Sequence, residues 1–247
     1  MWSARRVLDA FRDLVLGGRC VGCDRAGRLV CESCAVALEV VPRPAWPTPV
    51  PAGLVQPWAA TEYDGVVRAM IVGHKEHRLL ALAPALGDLL ALTTYAALTD
   101  LLDEPAPVLL VPVPSRPGSA RQRGYEPTTA ITRAAAARLS TWGVEVAWAR
   151  LLRTRRGVVD QGGLDAASRA VNLAGALRAH PPAVRRLAAH TGLGRARPAH
   201  VVVCDDVLTT GATAAEAQRA LRAVGLPPLA LAAVAATRRR SSSGRPT

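Results

Sequence analysis

Val201-Val-Val-Cys-Asp205-Asp206-Val-Leu-Thr209-Thr210-Gly211-Ala212-Thr213 is the stretch whose reading decides the fold. Its first four residues are apolar without alternation, as in a strand buried on both faces. Two carboxylates leave the tip of that strand, and a small, hydroxyl-rich turn then opens a helix over 212–224. The turn and the helix N-terminus offer unpaired N–H groups and the positive end of the helix dipole, which together make an anion site. Gly211 lets the backbone approach the anion, and Thr209, Thr210 and Thr213 add hydroxyl donors. Adjacent carboxylates above such a cradle suit the cis-diol of a ribose whose 5′-phosphate lies in the loop. The G-x4-G-K-[ST] order of a Walker loop is absent. The plainer alternative is a strand end followed by a Thr-capped helix. Two acids side by side at the tip of a buried strand speak against it.

Outward from this stretch, strand and helix signals alternate. Val108–Val113 is a continuous apolar run, 127–140 has a helical apolar stripe with Pro127 in its first turn, and 144–149 and 229–235 read as strands. This order predicts an α/β fold, a parallel sheet with helices on both faces, whose ligands bind at the carboxyl ends of the strands. Upstream, residues 41–57 hold six prolines, too many for a helix or a central strand, and read as a stiff extended linker. The expected organisation is a zinc module over 1–40, a Pro-rich linker over 41–57, the larger domain over 58–240 and a flexible tail over 241–247.

The module rests on Cys20-x2-Cys23 and Cys31-x2-Cys34. Two such knuckles aim four thiolates at one tetrahedral zinc, and the alternatives are disulfide or redox chemistry. The fifth cysteine, Cys204, reads as a small buried hydrophobe. The second knuckle runs into a helix-like 35–40. Asp9 and Asp13 spoil a signal peptide at the N-terminus, and Pro84, Asp88 and Asp100 interrupt the apolar window 79–102, so a cytoplasmic protein without a membrane span is expected.

The 247 residues are 50% hydrophobic, which excludes wholesale disorder, and carry a formal charge of +12. Lys75 is the only lysine, so the arginine excess is general and the high pI by itself says little. The distribution says more. Residues 151–200 hold nine Arg against Asp160 and Asp165, whereas 61–150 is balanced. A local surplus of this kind is either a surface that meets phosphates or a solvated Arg-rich stretch.

Other stretches carry phosphate chemistry. In Val111-Pro112-Val113-Pro114-Ser115-Arg116, prolines fix the backbone, Ser115 offers a hydroxyl and an N–H, and Arg116 a charge-assisted fork. Arg121-x-Arg123-Gly124-Tyr125-Glu126 pairs two cations with an aromatic ring, and a solvated basic turn is the alternative. Lys75 brings a compact ammonium. His74 and His77, flanking it, read as surface residues rather than ligands.

Taken together, 201–213 strongly resembles the phosphoribosyl-pyrophosphate (PRPP) motif of type I phosphoribosyltransferases. Nearly the full chain resembles ComF/GntX-type proteins, an N-terminal zinc ribbon followed by a type I phosphoribosyltransferase-like domain. The resemblance implies that Asp205 and Asp206 hold the ribose hydroxyls and that Thr209, Thr210, Gly211, Ala212 and Thr213 wrap the 5′-phosphate. It puts Ser115 and Arg116 in the pyrophosphate loop, matches Arg121 and Arg123 to an R-x-R-G-[FY] stretch, and aligns Lys75 with a lysine of the family. Arg153, Gln161 and Arg169 match a mobile flap that excludes water from an oxocarbenium-like transition state. Val158 stands there where the family has Thr. Two function classes follow. One is a Mg2+-dependent phosphoribosyl transfer enzyme with a structural Zn2+. The other is a non-catalytic module that binds PRPP or single-stranded DNA, in keeping with the family's link to DNA uptake and, as a partner, a DNA-uptake helicase. No segment identifies an acceptor base.

Overall fold

Every residue of the run Val108–Pro112 is buried, as a strand without polar alternation requires. It lies in the middle of the chain of the computed structural model, which describes residues 18–101, 106–115, 124–155, 175–191 and 198–237. In chain order the described elements are α1 (Glu32–Val36), β1 (Arg43–Pro44), β2 (Pro57–Glu62), α2 (Gly65–Glu76), α3 (Ala83–Leu101), β3 (Val108–Pro112), α4 (Pro127–Thr141), β4 (Val146–Trp148), β5 (Leu152–Thr154), β6 (Leu177–Ala179), α5 (Pro181–Thr191), β7 (His200–Leu208), α6 (Ala212–Arg222) and β8 (Pro228–Ala236). Six strands form one sheet in the order β1-β2-β8-β7-β3-β4, with β1 alone antiparallel to its neighbour. β5 and β6 make a separate antiparallel pair.

Alternate residues of the central strands point to opposite faces, and helices cover both. Leu110, Val202 and Cys204 pack with Met70 and Ile71 of α2, Leu86 and Leu90 of α3 and Ile131 and Leu139 of α4. Leu109, Val111, Val201 and Val203 pack with Ala217 and Leu221 of α6 and Leu187 of α5. The chain is an α/β fold with a small cysteine-rich region at its N-terminal side.

The structure departs from the sequence reading in four places. β7 runs on to Leu208, through both aspartates, because β8 supplies partners up to the pair Leu208–Ala236. Within the apolar window 79–102, the chain stays helical from 80 to 101 through Pro84, Asp88 and Asp100. Among the described residues, Leu80–Asp100 is the one stretch long and apolar enough to cross a membrane, and half of it is buried. Pro84 sits in the first turn of α3, where its missing N–H costs nothing, and Asp88 meets Arg138 at 2.6 Å on the surface. The helix at the second knuckle is Glu32–Val36 rather than 35–40. Finally, the Pro-rich segment is anchored at several points, although Val41, Trp46 and Val50 stay exposed. Arg43 and Pro44 pair with Ala59 and Trp58 at the sheet edge, where proline's missing donor is tolerated, and the Gln218 side chain accepts from Val55 N–H (2.8 Å) and donates to Gly53 O (2.5 Å).

Candidate functional site

From β3 the chain crosses through α4 to β4 on one side, while β7 lies against β3 on the other. This reversal makes a crevice at the carboxyl ends of β3 and β7, the place where open parallel sheets hold ligands. The same ends carry Ser115, Asp205 and Asp206.

Asp206 is buried, and its Oδ2 lies 2.6 Å from Lys75 Nζ at the end of α2. Asp205 is half-buried, and its Oδ1 accepts from Asp206 N–H at 2.8 Å. Desolvation, then the Asp206 charge beside it, push the Asp205 carboxyl up to about 8, with Lys75 acting against them. The structure thus gathers two carboxylates and one ammonium at the carboxyl end of the sheet, partly out of water. Cys204, one residue earlier, is fully buried and its thiol is pushed up to about 12 by desolvation, so it is an inert core residue.

His74 corrects a sequence expectation. It is fully buried rather than at the surface; Nδ1 lies 3.4 Å from Leu79 O, and burial holds the imidazole below its ordinary range. The ring sits edge-on to Tyr125, 5.6 Å between centroids, and the Tyr125 hydroxyl donates to the His74 carbonyl. Its place was readable in principle, because Val67, Met70, Ile71 and His74 lie on one helical stripe. His77 is exposed, as expected.

The loop after β7 turns through Gly211, the N-cap of α6, at φ +73°. A Cβ there would stand 3.0 Å from Pro47 and 3.2 Å from Pro51, so the Pro-rich segment walls one side of this loop. Thr209 is exposed, Thr210 and Thr213 are half-buried, and Ala212 is buried; Thr210 Oγ1 accepts from Ala212 N–H at 3.4 Å. Opposite, Ser115 N–H donates to Glu126 Oε2 at 3.1 Å, so this donor is already engaged by a carboxylate that sequence reasoning had given no role. Tyr125 and Glu126 therefore tie the end of α2, the β3 exit and the start of α4 together. Arg116, Arg121, Arg123, Gln161 and Arg169 lie outside the described residues, as does Val158. Arg153 is exposed on β5, in a cleft with Trp148, Arg150, His180 and Arg186 rather than beside Asp206.

A second constellation lies at the N-terminal side. The four Sγ atoms of Cys20, Cys23, Cys31 and Cys34 all fall within 4.8 Å of one another, and none forms a disulfide. Tetrahedral zinc at about 2.3 Å from each sulfur sets the sulfurs about 3.8 Å apart, so the donor set fits such an ion. Burial opposes ionisation of Cys20, yet the N–H groups of Cys31, Cys23 and Gly22 outweigh it and bring that thiol down, while Cys20 and Cys31 push Cys34 up. Four thiols this close could hold a metal ion between them. Gly22 makes room for the cluster, since a Cβ there would lie 2.9 Å from Cys34 Sγ and 3.1 Å from Val66 of α2.

Comparison of the sequence with protein-family models and with curated proteins finds no match.

Proposed function

We propose that this chain is a ComF/GntX-type protein with a type I phosphoribosyltransferase-like domain, which binds PRPP or a closely related phosphoribosyl compound at the carboxyl ends of β3 and β7. The observation that carries the reading is the adjacent acid pair, half-buried Asp205 and buried Asp206, with Lys75 bonded to Asp206, ahead of a helix N-terminus that opens on a left-handed glycine. In this reading Asp205 and Asp206 accept from the ribose hydroxyls, and the N–H groups and hydroxyls of 209–213 hold the 5′-phosphate. In this reading Lys75 neutralises pyrophosphate charge, and Ser115 and Arg116 add a hydroxyl and a guanidinium to the same group. Mg2+, when bound with the ligand, would supply positive charge to the pyrophosphate, and Asp205 and Asp206 would be the residues to hold it. Zn2+ holds the Cys20–Cys34 module. A cytoplasmic role in DNA uptake or nucleotide metabolism goes with this assignment.

Calorimetry with PRPP and Mg2+ tests it. Wild type is expected to bind saturably, and Asp205→Asn with Asp206→Asn is expected to lose two charge-assisted bonds, about 1.5–3 kcal/mol each, hence about two to four orders of magnitude in affinity. Equal affinity in the double variant rejects the site. Pyrophosphate release, with and without candidate acceptor bases, separates transfer from binding alone.

A further inference from the structure

We propose a second ligand site, independent of the PRPP reading: a basic groove across the carboxyl end of β4 that takes a nucleotide, its planar base against Trp148 and its phosphate at Arg150 and Arg153. Two clefts adjoin there. One, of about 450 Å³, is lined by Arg133, Trp148 and Arg150, and the other, of about 500 Å³, by Trp148, Arg150, Arg153, His180 and Arg186. Trp148 and Arg150 line both, so the two clefts meet at the edge strand β4, and the second, which also holds Arg153, is of a size that takes a small molecule.

Its charge is one-sided. Glu126 is the one acid among the described lining residues, and its Oε2 already accepts from Ser115 N–H. Elsewhere arginines meet carboxylates directly, as Arg19 with Asp24, Arg43 with Glu62, Arg138 with Asp88 and Arg219 with Glu216. Among the described residues no carboxylate pairs with Arg133, Arg150 or Arg153. His180 reports the same field: after desolvation, the charges of Arg153, Arg186, Arg178 and Arg185 hold its imidazole below the ordinary range. A ring complements the charge. Trp148 is half-buried on β4, the last strand of the sheet, and its partner Leu110 lies on the inner side only. An indole flanked by guanidinium groups offers stacking and phosphate contacts at once, which neither an acidic peptide nor a bare phosphate uses in full.

The nucleotide comes either free or as part of a single strand, and the test separates the two. Binding to the full-length protein is measured by calorimetry with AMP, a short oligothymidylate and inorganic tripolyphosphate. Trp148→Ala is expected to weaken AMP or oligonucleotide binding about tenfold and leave tripolyphosphate unchanged. Arg150→Glu with Arg153→Glu, both on the surface, is expected to weaken all three about a hundredfold. Trp148→Phe, which keeps a ring, is expected to restore most of the affinity and guards against a folding defect. AMP binding alone assigns a free nucleotide, and tighter oligonucleotide binding with a steep salt dependence assigns a strand; both support the groove. Asp205→Asn with Asp206→Asn is expected to leave groove binding intact while PRPP binding is lost, so failure here and failure of the PRPP reading are distinguishable. The proposal is overturned if none of the probes binds saturably, if Trp148→Ala changes nothing, or if nucleotide binding is lost with the aspartates but survives the arginine reversal.

Discussion

Asp206 presents one carboxylate to one ammonium in a place water barely reaches. Its side chain is 3% exposed and that of Lys75 31%, so the pair is neither a surface bridge nor a sealed one. Removing one partner of such a pair leaves the other charge without compensation, which costs about 3 kcal/mol or more. Lys75→Met is therefore expected to lower the urea midpoint strongly, and Lys75→Met with Asp206→Asn to recover much of the loss. Equal stability of Lys75→Met and wild type contradicts the pair. Asp205 gives a pH prediction. Its carboxyl, ordinarily near 3.8, is pushed up to about 8, so the fold favours the protonated form. The stability this contributes is complete below about pH 4 and is lost as pH rises through 8. Asp205→Asn is expected to match wild type near pH 4 and to exceed it at pH 8, by of order 1 kcal/mol. Since the two acids titrate as a pair, the urea midpoint is followed across the whole range. Parallel pH profiles for variant and wild type overturn the assignment.

At the scale of elements, two glycines fix close approaches. A Cβ on Gly87 of α3 would stand 2.4 Å from Ala134 Cβ of α4, so these helices cross backbone to backbone. Gly87→Ala is expected to destabilise by about 1–3 kcal/mol, measured by denaturant unfolding, because neither helix has room to yield. Gly211→Ala combines a left-handed φ with the Pro47 contact and is expected to weaken anion binding at 209–213 as well as the fold, by about 1–3 kcal/mol. Unchanged phosphate affinity in a folded Gly211→Ala protein detaches this loop from the anion site. These approaches were not legible in the sequence, since a glycine inside a helix names no partner. The run Val108–Val113 was legible, because continuous apolar character has few other uses. β7 was read only to Cys204: acids are poor strand formers, and what carries Asp205 and Asp206 into the sheet is pairing with β8, a contact between distant residues. β8 itself is rich in alanine, and its small side chains let α3 come close enough for Thr93 Oγ1 to donate to Ala233 O at 3.1 Å.

For the whole molecule, the cysteine module is in packing contact with the larger domain. Val21, Leu29, Val30, Leu38 and Val40 all pack against the core cluster that holds Met70 and Ile71 of α2. The prolines of 41–57 speak only to local stiffness, whereas Gln218, Gly211 and β2, which meet the segment, are distant in sequence.

This packing makes metal loss a test of long-range order. Val21 and Gly22, at the first knuckle, lie against α2: a Cβ on Gly73 would be 3.5 Å from Val21 Cγ1, and one on Gly22 3.1 Å from Val66 Cγ2. α2 in turn carries Lys75 to Asp206. Four thiols held within 4.8 Å without a cation repel as they ionise, so chelation is expected to open the knuckles and remove the support beneath α2. The parallel sheet is covered by α3, α4 and α6 independently of the cysteines and is expected to survive. One zinc per chain is expected in the reduced protein. After chelation, amide exchange should accelerate over 18–40 and 65–76 while β3 and β7 stay protected, and PRPP affinity should fall with the loss of a fixed Lys75. Cys34→Ser should reproduce the pattern, and added zinc should reverse it only in the chelated wild type. Absence of zinc, or unchanged exchange over α2 after its removal, shows that the module does not support the helix.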